Sequence, residues 1–175
     1  MKEILFSLVL ILFSSVHAET MKCVDSDKIY KVCSDQEAAF QKKLSEAKKN
    51  KKLVLIGFGA DWCPWCKAIS KLFHDKSFWS TFQTKLVLSE VGVSHYDSRE
   101  RILSGFNILN ELLKKNNKTE GDVDGYPFLA VVRPLDKKTI FINTGDLEDN
   151  RNQKGHDKLK VAKALKQAIE SLNKH

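Results

Sequence analysis

The stretch VLIGFGADWCPWCK, from Val54 to Lys67, constrains the fold more than any other part of this chain. Leu53-Val54-Leu55-Ile56 is an apolar run too short for a buried helix and rich in β-branched residues, which predicts a buried strand continuing to Phe58. A helix must then begin almost at once. Pro64 suits the first helical position, where its missing amide would have had no intrahelical partner, and Ile69, Leu72 and Phe73 follow at helical spacing. Cys63 and Cys66 sit on this junction. A sulfur at a helix start faces unpaired backbone amides and the positive end of the helix dipole, both of which stabilise a thiolate. Cys63 is therefore the expected nucleophile. Cys66, one turn further in, is expected to be more buried and to act as the resolving thiol that attacks a mixed disulfide.

Other uses of such a pair fit less well. Covalent haem needs a histidine directly after the second cysteine, and Lys67 stands there. A structural zinc site needs four ligands, usually from a second close pair. Cys23 and Cys33 lie in a separate segment without that spacing, and His74 is the histidine nearest the motif. Copper-type handling in an exported protein is the metal alternative left open. A purely structural bond closing two residues would add little chain-entropy stabilisation. No metal and no bound cofactor are expected. Trp62 and Trp65 flank the pair, and either could be core or a wall against which a substrate peptide packs.

The amino terminus sets the compartment in which these thiols would work. Lys2, the apolar run from Ile4 to Phe13 and the small-x-small pattern Val16-His17-Ala18 predict a secretory signal peptide over 1–18, cleaved after Ala18. The run is shorter than the ~18 to 20 apolar residues a spanning helix needs, so no stable membrane insertion is expected after cleavage. A periplasmic or secreted protein follows. The net charge is +7, but the lysines are scattered among acidic residues and lack arginine-aromatic interleaving, which reads as a solvated surface rather than a nucleic-acid site. All four cysteines lie beyond residue 18, and an even number in an exported chain favours disulfide chemistry. Cys23 and Cys33, in the segment 19–33, are read as a structural disulfide pinning the new terminus, with a second redox pair as the alternative.

The rest of the chain, 34–175, reads as one domain. Ser34 and Glu37 form a capping-box pattern ahead of Phe40, Leu44 and Ala47, which predicts a helix from about Asp35 to Lys49. Ser77 is the expected cap of a helical continuation through Phe78 and Phe82. Leu86-Val87-Leu88 opens a second strand, and Ile102 to Leu113 marks a helix. Phe128 to Val132 and Thr139 to Ile142 are strands around a turn at Pro134-Leu135-Asp136, and Val161 to Leu172 has an apolar helical face. Strands alternating with helices argue for a three-layer α/β domain with an antiparallel hairpin at one edge.

The segment VLIGFGADWCPWCK resembles the active-site segment of the thioredoxin superfamily, and Gly125-Tyr126-Pro127 resembles that family's second landmark, a proline that is cis and faces the cysteines. Ala60-Asp61-Trp62-Cys63 is similar to exported members, such as the reducing thioredoxin-like domain of DsbD and small periplasmic thioredoxin-like proteins. The resemblance implies a thioredoxin fold, a central mixed sheet of about four to five strands flanked by helices. It implies a thiol-disulfide oxidoreductase that acts through Cys63 and Cys66, with Trp62, Pro64, Trp65, Tyr126 and Pro127 against the substrate. Its partners would be protein thiols and disulfides of exported proteins, and a redox partner that recycles the pair. One departure stands out. Thioredoxin has a buried aspartate six residues before its first cysteine, and here that position is Gly57, leaving Asp61, Glu90 and Lys67 as candidate proton acceptors. A non-catalytic peptide-binding or chaperone module on the same fold is the remaining alternative.

Overall fold

The computed structural model describes residues 28–93, 99–149 and 155–174, with the side chains of 99–103 left out. The expected signal peptide and Cys23 lie outside the described residues.

Four strands form one sheet in the order β2-β1-β3-β4: β1 is Leu53–Gly59, β2 Leu86–Gly92, β3 Phe128–Val132 and β4 Thr139–Asn143. β1 runs parallel to β2 and antiparallel to β3, and β3 and β4 form the expected antiparallel edge hairpin. The continuous apolar runs of β1 and β3 are explained by burial on both faces. Because side chains alternate, Val54, Ile56, Phe58, Phe128, Ala130 and Val132 point to one side. There they meet α1, Gln36–Lys49, through Phe40 and Leu44, and α4, Arg99–Lys115, through Leu109 and Leu112. Leu53, Leu55, Leu129 and Val131 point to the other side. Ile69 and Phe73 of α2, Pro64–His74, pack on them with Phe78 of the short α3, Lys76–Trp79, and Val161, Leu165 and Ile169 of α5, Lys158–Asn173. In β1, Gly57 and Gly59 fall in the same alternation as Leu53 and Leu55. They leave the sheet bare on the side where α2 lies.

Two caps differ from the sequence reading. Asp35, not Ser34, is the N-cap of α1, with Oδ1 accepting from the Ala38 amide at 2.9 Å. The Ser34 hydroxyl instead donates to the Lys31 carbonyl at 2.6 Å, and Glu37 accepts from the Asn107 amide at 2.8 Å. Asp75, not Ser77, caps α3, because the chain turns at Asp75 and points its carboxylate at the Phe78 amide, 3.0 Å away. The Ser77 hydroxyl donates to that same carboxylate.

The buried Gln36 amide ties α1 to the end of β2. Its Oε1 accepts from the Gly92 amide at 2.6 Å, and its Nε2 donates to the Gly92 carbonyl at 3.2 Å. α4 approaches the same point at Gly105, where an added Cβ would collide with the Gly92 carbonyl oxygen. This junction holds β2 in place beside the cysteine pair.

His156 is half-buried, and neither ring nitrogen has a hydrogen-bond partner among the described residues. Burial pushes its pKa down from 6.5 to about 4. The unfolded chain therefore binds a proton that the folded one refuses as pH falls from 6.5 towards 4, and stability drops across that window. Chemical denaturation at pH 7 and pH 4.5 should show a smaller acid-induced loss for His156→Gln than for the wild type. Equal losses would remove His156 as the cause.

Candidate active site

α2 begins where the sequence places it. Cys63 is its N-cap, in extended conformation, and Pro64 takes the first helical position. The Cys63 sulfur accepts from the Cys66 amide at 3.1 Å, and the Cys63 carbonyl accepts from the Lys67 amide at 3.1 Å. The cap that another helix would take from serine or aspartate is here supplied by the Cys63 sulfur. The two cysteines are joined in a disulfide, with Cα atoms 5.2 Å apart. Cys63 is 4% exposed and Cys66 fully buried.

Tyr126-Pro127 is cis, and the Tyr126 carbonyl oxygen lies 3.7 Å from the Cys63 sulfur. The second landmark therefore meets the first. Pro127 is buried, while Tyr126 is half-buried and packs on the residues around the pair. Burial raises the Tyr126 phenol above its usual pKa, and Glu120 adds to the effect. The two tryptophans separate. Trp62 is 58% exposed and so is not core, whereas Trp65 is half-buried against Cys63 and Cys66. Pro64 is exposed beside them. A cavity of about 460 Å³ opens beside Tyr126, between Phe106, Leu109, Val123 and Glu120. A larger one, about 1050 Å³, runs along β2 and α3, with His74 and Glu90 in its lining.

The position of the missing acid is vacant in fact as well as in sequence: a Cβ on Gly57 would meet only Leu129 at 3.9 Å. Of the three candidate acceptors, Lys67 is exposed to solvent. Glu90 lies opposite Gly57 in the β1–β2 register and accepts from the Ser70 hydroxyl at 2.5 Å, with the His74 ring at 3.1 Å. Asp61 accepts from the Ile29 amide at 2.9 Å, tying the segment before α1 to the cysteine loop.

That segment carries the residue that sequence reasoning missed. Tyr30 is 1% exposed and packs with Val32, Ala60, Cys63 and Cys66. Nothing in its neighbourhood has a helical or strand period, so the only sequence signal was an aromatic residue between two cysteines. Cys33, three residues on in the same segment, is disulfide-bonded, and Cys23, with which the sequence pairs it, lies outside the described residues. Among the described residues, no group of three or more His, Cys, Asp or Glu side chains gathers where it could hold a metal ion.

Sheet order, redox-type pair and facing cis-proline define a thioredoxin-like domain. The chain belongs to the thioredoxin-like family, whose model matches residues 35–134 and so includes both landmarks but not β4 or α5. It is 34% identical over 55 residues to thioredoxin H4 of Arabidopsis thaliana, a match covering 31% of this chain and 44% of that protein. The chain thus spans less than half the length of that curated relative. Among solved structures it is similar to a disulphide isomerase from Xylella fastidiosa Temecula1, at 22% identity over 79% of this chain and 88% of the other, with a TM-score of 0.48. It is also similar to a DsbH oxidoreductase, at 17% identity over 73% and 79% of the two chains, with a TM-score of 0.47.

After reduction at neutral pH, limiting iodoacetamide should alkylate Cys63 and spare Cys66, because only the helix-start sulfur combines access with amide stabilisation. Peptide mass spectrometry reads the ratio. Equal labelling would show that the helix start does not distinguish the two thiols.

Proposed function

We propose that this protein is an exported thiol-disulfide oxidoreductase that acts on protein disulfides through Cys63 and Cys66, as a reductase or isomerase. The observation that carries the reading is the Cys63 sulfur itself, which takes the N-cap role on α2 and lies beside the Tyr126 carbonyl. In the reduced protein the Cys63 thiolate attacks one sulfur of a substrate disulfide, and the other leaves as a thiolate. Cys66 then loses its proton and attacks the Cys63 sulfur. The Cys63–Cys66 bond forms, the mixed disulfide breaks, and two electrons have passed to the substrate. A partner thiol system must return the pair to its reduced state.

Trp62, Pro64 and Trp65 form the surface around the pair, and Tyr126 offers backbone to an extended substrate segment by β-type pairing. Export rests on the signal-peptide pattern of residues 1–18. Under this reading Cys66→Ala should accumulate mixed disulfides with exported proteins, visible on non-reducing gels, and Cys63→Ala should not. Trapping only through Cys66 would reverse the assigned roles.

The direction of electron flow follows from the two residues between the cysteines. Pro64 removes one amide from the helix start, and Trp65 adds no charge where a strongly oxidising Dsb-type enzyme has a histidine, so extreme thiolate stabilisation is not expected. Cys-Pro-aromatic-Cys is similar to the glutaredoxin pattern, whose potentials lie at roughly −200 to −230 mV, between about −270 mV for thioredoxin and about −120 mV for DsbA. Equilibration in glutathione buffers, with Cys23 and Cys33 replaced, should give a value in that neighbourhood. A value near DsbA's would mark an oxidase.

A further inference from the structure

The bare end of β1 brings two side chains to one point. A Cβ built on Gly59 would lie 2.9 Å from the Cys66 sulfur and 2.8 Å from Cζ of Tyr30, and would collide with the Tyr30 hydroxyl oxygen. Phenol and resolving sulfur thus converge on the space that Gly59 leaves empty. Tyr30 is fixed there from several sides. The neighbouring Ile29 amide is held by Asp61, the Val32 amide donates to the Tyr30 carbonyl at 2.8 Å, and Val32 and the Tyr30 Cβ close over Gly92.

We propose that, once the pair is reduced, the Tyr30 hydroxyl donates a hydrogen bond to the Cys66 sulfur and stabilises its thiolate, the species that resolves the mixed disulfide. The proposal deepens the function proposed above and rests on it for the catalytic step. Tyr30 transfers neither proton nor electron. The Cys66 proton leaves to water, and the hydroxyl stays protonated as a donor. Its surroundings favour that state: burial, with Glu90 on β2 and Asp61 in the loop after β1 adding negative charge, holds the phenol far above its ordinary pKa. The other groups packed here do not supply the donor. Ser70 and His74 of α2 are turned to Glu90, Gln36 of α1 is neutral and bonded to Gly92, and Tyr126 lies on the Cys63 side. The Glu90 charge reaches the Tyr30 phenol, which shares the Gly59 space with the Cys66 sulfur, so an unassisted Cys66 thiolate would meet like charge in a buried site. A neutral donor offsets that cost without adding another carboxylate.

The test follows Cys66 ionisation directly, by thiolate absorbance against pH, in the full chain carrying Cys63→Ser, with its other disulfide intact. A hydrogen bond to a charged acceptor is worth about tenfold in thiolate fraction at fixed pH, so Tyr30→Phe should move the titration alkaline by that factor. Site-specific 3-fluorotyrosine at position 30 keeps ring and packing while making the hydroxyl a stronger donor. It should move the titration the opposite way. Titrations unchanged by both replacements would overturn the proposal, and if the Phe variant fails to fold the fluorotyrosine result alone decides. Reduction of insulin disulfides by the unmodified protein is measured separately. Loss there with the Cys66 shifts intact would sink the proposed function and leave the hydrogen bond standing.

Discussion

How closely α2 can approach the end of β1 governs the rest of the site, and Gly59 sets that approach. Any side chain at this position would occupy the space now shared by the Cys66 sulfur and the Tyr30 ring. With the space left open, the first turn of α2 sits directly on the sheet. The Cys63 sulfur can then serve as N-cap, with Cys63 4% exposed, while Cys66 is wholly buried. The difference in reactivity expected of two chemically identical thiols comes from this packing.

Polar groups are arranged around the pair with the same economy. Glu90 is oriented by Ser70 and His74, both on α2, so the helix that carries the cysteines also fixes the nearby carboxylate. Asp61 is held by the Ile29 amide and so couples the cysteine loop to the segment before α1. On the opposite side the Tyr126 carbonyl meets Cys63, with Pro127 buried beneath it. Each thiol therefore has its own neighbours, backbone carbonyl for Cys63 and phenol for Cys66.

Much of this was legible in the sequence because it is local. The strand from Leu53, the helix start at Pro64 and the apolar face of α5 follow from short-range pattern and from proline's missing amide. The antiparallel edge hairpin followed from two apolar runs around a turn. Where local reading failed, it failed by a residue or two at caps. Ser34 and Asp35, or Asp75 and Ser77, carry equivalent oxygens, and only the path of the backbone decides which one meets the free amide.

The sequence by itself pointed to the class of protein, the expected nucleophile and the facing proline, because a cysteine pair at a strand-to-helix junction and a Gly-Tyr-Pro turn are chemistry written in adjacent residues. It could show that the acid at Gly57 is missing, but not what stands near Cys66 instead. Tyr30, Glu90 and Cys66 lie on three separate stretches: the β1–β2 register sets Glu90 opposite Gly57, and tertiary packing brings Tyr30 and Cys66 together over Gly59. Burial of Tyr30 and the separation of exposed Trp62 from half-buried Trp65 were likewise tertiary decisions. They depend on which surfaces the other elements cover, and nothing within a few residues of either side chain encodes that.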